Sequence, residues 1–314
     1  MHDYTVYGRW LRSAIPIPEL RPRESAGQAD GAEAQWHFHL ATGIAPSLST
    51  AKLVGRDELA TDVFAALSRA DDIVRVTFDD TGTFDVSEHG RRVVWYPKDG
   101  CVPDVARADL VGRVLPLTLH DRGLTSLHAS AVVMNGRALA FLAPKNHGKS
   151  TLALALIERH GARLLSDDTL IVTPENGVAH PGVLSVRLWE QTAQRFARLG
   201  ESRPVLSEKL IFEALPAEWL AHDTAPLATV YTLVPVPAED ANVVQREALD
   251  GPSATIALIQ YQKLGALLGG ADAARVFEQA ATLAAHVPVY RLHVARDLEK
   301  LGQVADALAR WHTA

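Results

Sequence analysis

The chain has 314 residues and a net charge of −6, with 47% hydrophobic and 22% charged residues, which predicts about two globular domains and excludes disorder and collagen-like repeats. The acidic balance argues against nucleic acid as a partner, and no apolar run reaches the ~18 residues that a membrane-spanning helix needs. The N-terminus lacks the basic-then-apolar order of a secretory signal, and one cysteine, Cys101, cannot form a disulfide framework, so we expect a cytoplasmic protein.

Residues 1–122 are predicted to form a smaller β-rich domain. Runs of β-branched and aromatic residues, such as 36–40 and 72–78, are typical of short strands. Turn residues that tolerate positive φ separate the runs, at Asp80-Thr81-Gly82 and at His89-Gly90. We expect this domain to recognise the acceptor of the reaction, because it carries no phosphate-binding motif.

Three further features of the first region bear on its structure. The polar, glycine-containing stretch 21–34 is typical of a mobile loop. Residues 104–122 have helical periodicity, in which Pro116 predicts a break or kink. His37 and His39 lie on one side of a predicted strand, but no third ligand with suitable spacing accompanies them, so we predict no zinc site there.

Residues 123–314 are predicted to form an α/β domain. Two apolar runs within 127–144 flank Asn135-Gly136, a strong hairpin signal. A helix should follow Lys149 and end at Gly161. The remaining elements that the pattern predicts are strands within 162–173, at 227–236 and at 287–294, and helices at 252–267, 271–286 and 297–311.

A phosphate-binding loop is the sharpest motif in the chain. The run matches G-x-x-x-x-G-K-[ST] except that alanine replaces the first glycine, and it follows a strand-like run and opens a helix. In such a loop backbone N–H groups and a lysine hold phosphate oxygens, and a hydroxyl binds Mg²⁺. The residues concerned are Ala143, Pro144, Lys145, Asn146, His147, Gly148, Lys149, Ser150 and Thr151.

Two adjacent carboxylates, Asp167 and Asp168, follow an apolar run 18 residues after Lys149. One of them can hold Mg²⁺ and the other can take a proton from a hydroxyl, although Ser-Asp-Asp is also ordinary turn composition. His128, at the head of the strand before the loop, is a third candidate that could equally be a strand residue with a structural hydrogen bond.

The chain resembles the catalytic domain of HPr kinase/phosphorylase, and more closely the HPr kinase-like serine kinases of bacteria, some of which lie beside lasso-peptide genes. Residues 127–190 carry the specific part of the resemblance, through LHASAVVMNGRALAFLAPKNHGKSTLALALIERHGARLLSDDTLIV and HPGVLSVRLW. Segments near both ends of the chain, YTVYGRWLRSAIPIPEL and VPVYRLHVARDLEKL, also look like those shorter relatives.

The resemblance implies a P-loop α/β catalytic domain over 123–314 that uses ATP and Mg²⁺. It implies that Lys149 serves the phosphates and Ser150 the Mg²⁺, that Asp167 is the acid/base, and that Asp168 helps to hold the metal while His128 assists. The glycine-rich segment tied to HPr recognition is reduced here to Pro181-Gly182-Val183-Leu184, so we expect an acceptor other than HPr.

We therefore expect an Mg²⁺- and ATP-dependent kinase that phosphorylates a serine or similar hydroxyl on a peptide or small protein, including the precursor of a peptide natural product. The alternatives are a small-molecule hydroxyl kinase and a regulatory protein that binds ATP and transfers nothing. Arg187, Arg291 and Arg296 are candidates to neutralise charge on the phosphate, and the sequence does not choose among them. The resemblance also suggests a homo-oligomer.

Overall fold

The computed structural model describes residues 1–23, 33–204, 209–237, 244–295 and 297–313. They form two compact units, the first of Met1–Leu124 with Lys263–Phe277 and the second of Thr125–Gln262 with Glu278–Ala314. The sequence-based boundary after residue 122 lies close to the observed change of unit. Within the described residues, no helix combines the length and the apolar character that crossing a membrane requires.

A nine-stranded sheet forms most of the first unit, in the order β3-β1-β2-β4-β9-β8-β7-β6-β5. Neighbouring strands are antiparallel except for β2–β4 and β4–β9, which are parallel. Aromatic rings from alternate strand positions fill its buried face, where the Phe84 ring stacks on Trp95 at 5.8 Å. The strands are β1 (His2–Val6), β2 (Arg9–Ser13), β3 (Arg21–Pro22), β4 (Trp36–Leu40), β5 (Lys52–Ala60), β6 (Val63–Ala70), β7 (Ile73–Phe78), β8 (Gly82–Ser87) and β9 (Arg92–Pro97).

The turns between these strands follow the sequence signals. Gly82 and Gly90 adopt φ of 109° and 82°, which confirms both predicted turns. At Gly82 a side chain is also excluded by space, because a Cβ there would lie 2.3 Å from the Tyr96 carbonyl oxygen. The loop predicted over 21–34 lies mostly outside the described residues, and its first two residues form β3.

The helix predicted over 104–122 is confirmed, with an irregular centre. It runs as α1 (Pro103–Asp109), a π-helical turn (Leu110–Val114) and α2 (Leu115–His120). Pro116 stands in the first turn of α2, where its missing N–H removes a helical hydrogen bond and its ring crowds the turn before it. The wider π turn immediately before it is the local adjustment to this crowding.

His37 and His39 share one side of β4, as expected, and both are partly buried. No cluster of three or more His, Cys, Asp and Glu side chains suited to a metal ion occurs anywhere in the described part of the chain.

The segment 263–277 belongs to the first unit, although the sequence-based division placed it in the catalytic domain. Two glycines allow its backbone to lie against β5: a Cβ on Gly55 would be 2.3 Å from the Leu267 carbonyl oxygen, and one on Gly269 would be 2.3 Å from that of Val54. Arg69 pairs with Asp272 at 3.7 Å. This segment contains the short helix α6 (Gly265–Leu268) and a 3₁₀ turn (Gly270–Asp272).

The second unit is mixed α/β. Its large sheet has the order β10-β14-β15-β19-β12-β11-β13, with β21 beside β19 and β20 beside β21. A smaller sheet has the order β16-β18-β17. The strands are β10 (Thr125–Leu127), β11 (Ala129–Met134), β12 (Arg137–Leu142), β13 (Arg163–Ser166), β14 (Leu170–Thr173), β15 (Val178–His180), β16 (Val186–Trp189), β17 (Arg203–Pro204), β18 (Lys209–Phe212), β19 (Ala225–Val236), β20 (Val244–Ala248) and β21 (Val289–Ala295).

Helices cover both faces of the large sheet. The helices that include residues of this unit are α3 (Lys149–His160), α4 (Glu190–Ala193), α5 (Gly251–Gln260), α7 (Ala273–His286) and α8 (Leu301–Trp311), with 3₁₀ turns at Ala217–Trp219 and Leu298–Lys300. One apolar cluster joins α3 and α8 to one face of β11 and β12. A second cluster joins α5 and the later part of α7 to the opposite face. The result is an α/β/α arrangement.

Several local predictions for this unit are confirmed. β11 and β12 form an antiparallel hairpin whose turn residues, Asn135 and Gly136, have φ of 52° and 75°, as a type I′ turn requires. Helix α3 ends at Gly161 with φ of 64°. The strands expected at 227–236 and 287–294 are β19 and β21, and the closing helix over 297–311 is the 3₁₀ turn followed by α8.

The prediction of a helix over 252–267 is wrong beyond Gln260, where α5 ends. The chain extends there to pair with the end of β10: the His128 N–H donates to the Tyr261 carbonyl at 2.8 Å, and Gln262 forms a β-bridge with Leu127. These long-range hydrogen bonds replace those that another helical turn would make.

Candidate active site

Strand order brings three sequence-distant segments to one edge of the second unit's sheet. The phosphate loop follows the carboxyl end of β12, and β11 runs antiparallel to β12, so His128 at the start of β11 lies at the same edge. β13 is antiparallel to β11 on its other side, so β13 is parallel to β12 and its end, which leads into Asp167, also lies there. Two antiparallel pairings therefore bring together the loop, the histidine and the carboxylates.

The loop between β12 and α3 has two residues in the left-handed conformation and leads into a helix N-terminus. Asn146 and Gly148 adopt φ of 69° and 83°, and a Cβ built on Gly148 meets no atom within 4 Å, so the space above this turn is open. Gly148 caps the 12-residue helix α3 without a side-chain hydrogen bond. The first backbone N–H groups of a helix lack intrahelical partners and attract anions.

The alanine that replaces the first glycine of the motif has a structural explanation. Ala143 is fully buried in the apolar cluster beneath α3, and it is not among the residues with positive φ. A glycine is therefore not required at this position by backbone conformation. The following residues are solvent-exposed: Pro144, Lys145, Asn146, His147 and Gly148.

Lys149 is folded onto the loop that it follows. It is only 7% exposed, and its Nζ donates to the carbonyl oxygens of Ala143 at 2.8 Å and Pro144 at 3.2 Å. Ser150 and Thr151, in the first turn of α3, are partly buried. The ammonium group is thus held by the backbone carbonyls at the start of the loop.

Asp167 is joined to the phosphate loop by Ser150. The Ser150 hydroxyl donates to the Asp167 carboxylate, with Oγ 2.9 Å from Oδ1 and 3.0 Å from Oδ2. Asp167 is 6% exposed. Burial, together with the charge of Asp168, raises the pKa of its carboxyl above the ordinary value, against the opposing effects of Ser130, Ser150 and Lys149. A buried carboxylate in this state gains from a nearby cation.

Asp168 lies in a tight turn, and its side chain faces solvent and His128. The Thr169 N–H donates to the Asp167 carbonyl at 2.9 Å, and Asp168, between them, has φ of 67°, the pattern of the uncommon γ-turn. Its Oδ1 lies 3.5 Å from Nε2 of His128, and its side chain is 51% exposed. Strained backbone of this kind is characteristic of functional sites.

Residues 181–184 support this carboxylate turn. The Gly182 N–H donates to the Leu165 carbonyl at 2.9 Å, and the Asp167 N–H donates to the Val183 carbonyl at 3.2 Å. The segment leads directly into β16, so it couples the smaller sheet to the position of Asp167.

The charges of the site act on Lys209, a residue that the sequence did not indicate. Burial, followed by the charge of Lys145, lowers the pKa of Lys209. Lys209 lies opposite Trp189 in the pairing of β18 with β16.

The three candidate arginines differ in position. Arg187 is exposed on β16, and its charge is felt by Lys209. Arg291 on β21 pairs with Glu247 at 3.6 Å, and Arg296 lies outside the described residues.

The donor set suits Mg²⁺ bound together with a nucleotide. Mg²⁺ prefers oxygen ligands and is usually held by one or two carboxylates plus substrate phosphates. The Ser150 hydroxyl and the buried Asp167 carboxylate supply such oxygens beside the loop.

Comparisons with known proteins find only a distant structural similarity. No family model matches it, and no curated protein matches it by sequence. Among solved structures, it is similar to the HPr(Ser) kinase/phosphatase from Coxiella burnetii, with 16% identity and a TM-score of 0.31 over 60% of this chain and 95% of that one. A likeness this distant does not decide function, so the geometry of the site must carry any functional argument.

Proposed function

We propose that this protein is an Mg²⁺- and ATP-dependent phosphotransferase that phosphorylates a hydroxyl group, with serine on a peptide or small protein as the expected acceptor. The observation that carries the proposal is the hydrogen bond of Ser150, from a phosphate loop that opens α3, to the buried Asp167. A loop hydroxyl and a strand-end aspartate in contact are what P-loop enzymes use to hold Mg²⁺ against the nucleotide's phosphates.

In this proposal Lys149 and the N-terminal N–H groups of α3 bind the β and γ phosphates. Ser150 and Asp167 hold Mg²⁺, which would neutralise charge on the phosphates when bound. Lys149 must leave the carbonyls of Ala143 and Pro144 to reach the nucleotide. Those contacts keep the ammonium group in place between turnovers.

The acceptor side of the site is assigned to Asp168 and His128. Asp168 is half-exposed beside His128, so its carboxylate is accessible to a hydroxyl arriving from solvent. The carboxylate takes the hydroxyl proton as the new O–P bond forms and the bond to the leaving ADP breaks. This division of roles reverses the one that the resemblance implies, in which Asp167 is the base and Asp168 a metal ligand.

The test uses purified full-length protein with radiolabelled Mg-ATP and a library of serine-containing peptides, with water as the default acceptor when no peptide is present. Product is followed as labelled peptide, as phosphate and as ADP. The proposal expects Mg²⁺-dependent transfer, or at least slow hydrolysis, that Lys149→Ala abolishes. Tight Mg-ATP binding with neither transfer nor hydrolysis would favour the regulatory alternative, and transfer only to small hydroxyl compounds would favour the small-molecule kinase.

Two matched variants separate the carboxylate assignments. We expect Asp167→Asn to raise the Mg²⁺ concentration needed for half-maximal activity, because an amide oxygen is a weaker ligand for a hard cation. Asp168→Asn should bind Mg-ATP normally and turn over roughly 10²–10⁴-fold more slowly. Glu175→Gln, at an exposed turn, is the control. If the two phenotypes were exchanged, the roles implied by the resemblance would be correct.

A further inference from the structure

A buried serine on β11 lies on the face of the sheet that α3 covers. Ser130 is fully buried, and it is directly opposite Phe141 of β12 in the antiparallel register. Phe141 belongs to the apolar cluster that joins α3 to the sheet. Because side chains directly opposite each other share one face of a sheet, the Ser130 hydroxyl is on the α3 side.

The pairing of β11 with β13 makes Ser130 a neighbour of Asp167. Ala131 is opposite Ser166 in the antiparallel register. The next residues along the two strands, Ser130 and Asp167, are therefore the next to come opposite each other. Asp167 is also on the α3 side, because its carboxylate accepts from Ser150 in the first turn of that helix.

The Ser130 hydroxyl has capacity to donate. Its Oγ has no hydrogen-bond partner among the described residues, although buried polar groups are normally hydrogen-bonded and an exception calls for an explanation. The hydroxyl is close enough to act on its neighbour, since it opposes the rise that burial causes in the pKa of Asp167. A buried donor thus lies beside a buried carboxylate.

A carboxylate that holds a metal ion needs donors of this kind. It has about four lone-pair positions, and the Ser150 hydroxyl, with its single proton, occupies only part of them. Carboxylate ligands are oriented by further hydrogen bonds, and loss of such a partner lowers metal affinity or activity about 10–100-fold.

We propose that Ser130 is a positioning residue for Asp167: its hydroxyl donates to the carboxylate and holds it in the orientation that binds Mg²⁺ beside the phosphate loop. The inference rests on the proposed function, which assigns Mg²⁺ to Ser150 and Asp167. The role belongs to the hydroxyl and not to the volume of the side chain, so a variant that keeps the hydroxyl keeps the role.

The experiment measures by calorimetry the affinity for ATP with chelator and for Mg-ATP with excess Mg²⁺. Two comparisons isolate the hydroxyl: Ser130→Ala with the wild type, and Ser130→Val with Ser130→Thr, which differ by a methyl in place of a hydroxyl. The variant without the hydroxyl should bind Mg-ATP roughly tenfold more weakly in each comparison, ~1.4 kcal/mol. Binding of ATP with chelator should change less than about twofold, because Lys149 and the loop are untouched.

Ser126→Ala is the matched control. Ser126 is also buried, and its hydroxyl likewise has no partner in the described part of the chain, but it lies opposite Ile171 of β14. We expect this variant to leave both affinities unchanged. In an Asp167→Ala background, Ser130→Ala should cause no further loss of Mg-ATP affinity, because the carboxylate that it orients is absent.

The outcomes separate this inference from the proposed function. Equal losses with and without Mg²⁺ would show that Ser130 supports the loop as a whole and would overturn the inference, as would equal Mg-ATP affinities of folded Ser130→Thr and Ser130→Val. If neither of these two folds, the comparison of Ser130→Ala with the wild type decides. Unchanged affinities in Ser130→Ala, with a wild type that prefers Mg-ATP to ATP, would remove the role of Ser130 and leave the proposed function standing. A wild type whose ATP binding does not respond to Mg²⁺ would refute both.

Discussion

The contact between Ser150 and Asp167 can be measured directly as a coupling free energy. A hydroxyl carries a single proton, so the distances of 2.9 Å and 3.0 Å to the two carboxylate oxygens represent one shared hydrogen bond. A hydrogen bond to a charged group contributes about 1.5–3 kcal/mol, and Asp167, at 6% exposure, is shielded from the solvent that weakens exposed pairs. We therefore expect a coupling of about 1.5–3 kcal/mol.

A double-mutant cycle of Ser150→Ala and Asp167→Ala supplies this number. Urea unfolding is followed at several pH values, because burial raises the pKa of Asp167 and the hydrogen bond to a charged carboxylate exists only where that carboxyl is ionised. Chelator is present so that no metal bridges the pair. The denaturant slopes must agree among the four proteins for the comparison to hold. The same cycle with Asp168→Ala should give a smaller coupling, because both contacts of the Ser150 hydroxyl are with Asp167.

A coupling below about 0.5 kcal/mol, the usual limit of additivity for independent sites, would show that Ser150 and Asp167 do not interact. Asp167 would then lose its structural connection to the loop, and with it the assignment of Asp167 to the metal. A larger coupling for Asp168 than for Asp167 would support the opposite division of roles.

Three further predictions concern other parts of the molecule. Burial raises the pKa of Asp109 from 3.8 to about 6, so the folded state favours the protonated carboxyl and the protein loses stability as pH rises from about 4 through 6. Asp109→Asn should therefore be more stable than the wild type by up to ~3 kcal/mol at pH 8. If the difference in melting temperature between variant and wild type were the same at pH 4 and pH 8, this prediction would be wrong. Lys149→Ala should weaken Mg-ATP binding at least tenfold, ~1.4 kcal/mol, and calorimetry showing unchanged affinity would remove the phosphate-loop assignment. Asp250 caps α5 by accepting from the Ser253 N–H at 2.9 Å, so Asp250→Ala should cost about 0.5–2 kcal/mol of unfolding free energy without altering nucleotide affinity; urea unfolding and calorimetry check the two halves of that expectation.

Much of the second unit's local structure could be predicted because short-range physics decides it. Asn135 and Gly136 tolerate the positive φ of a hairpin turn, and Gly161 tolerates the left-handed conformation that ends α3. The phosphate-loop motif was recognisable for the same reason, since its residues are consecutive and the motif requires a loop followed by a helix. The strand before it and the helix after it are where the pattern placed them.

The predictions that are wrong concern segments whose structure depends on backbone contacts with residues distant in the sequence. The helix predicted over 252–267 ends early because Tyr261 and Gln262 pair with residues more than 130 positions away in the sequence. Helical periodicity contains no information about such long-range pairing. The segment 263–277 joined the first unit because two glycines let its backbone approach β5, and each glycine alone is uninformative in the sequence.

The candidate site divides in the same way. Residue type and spacing were enough to identify the phosphate-loop motif, the adjacent carboxylates and His128 as candidates, because their chemistry depends on both. The contact of Ser150 with Asp167 and the position of Asp168 beside His128 follow from the folded arrangement of the strands. The physical reason is that charges and hydrogen bonds act over a few ångströms in space, and the order of strands in the sheets, which no local pattern encodes, sets which side chains come that close.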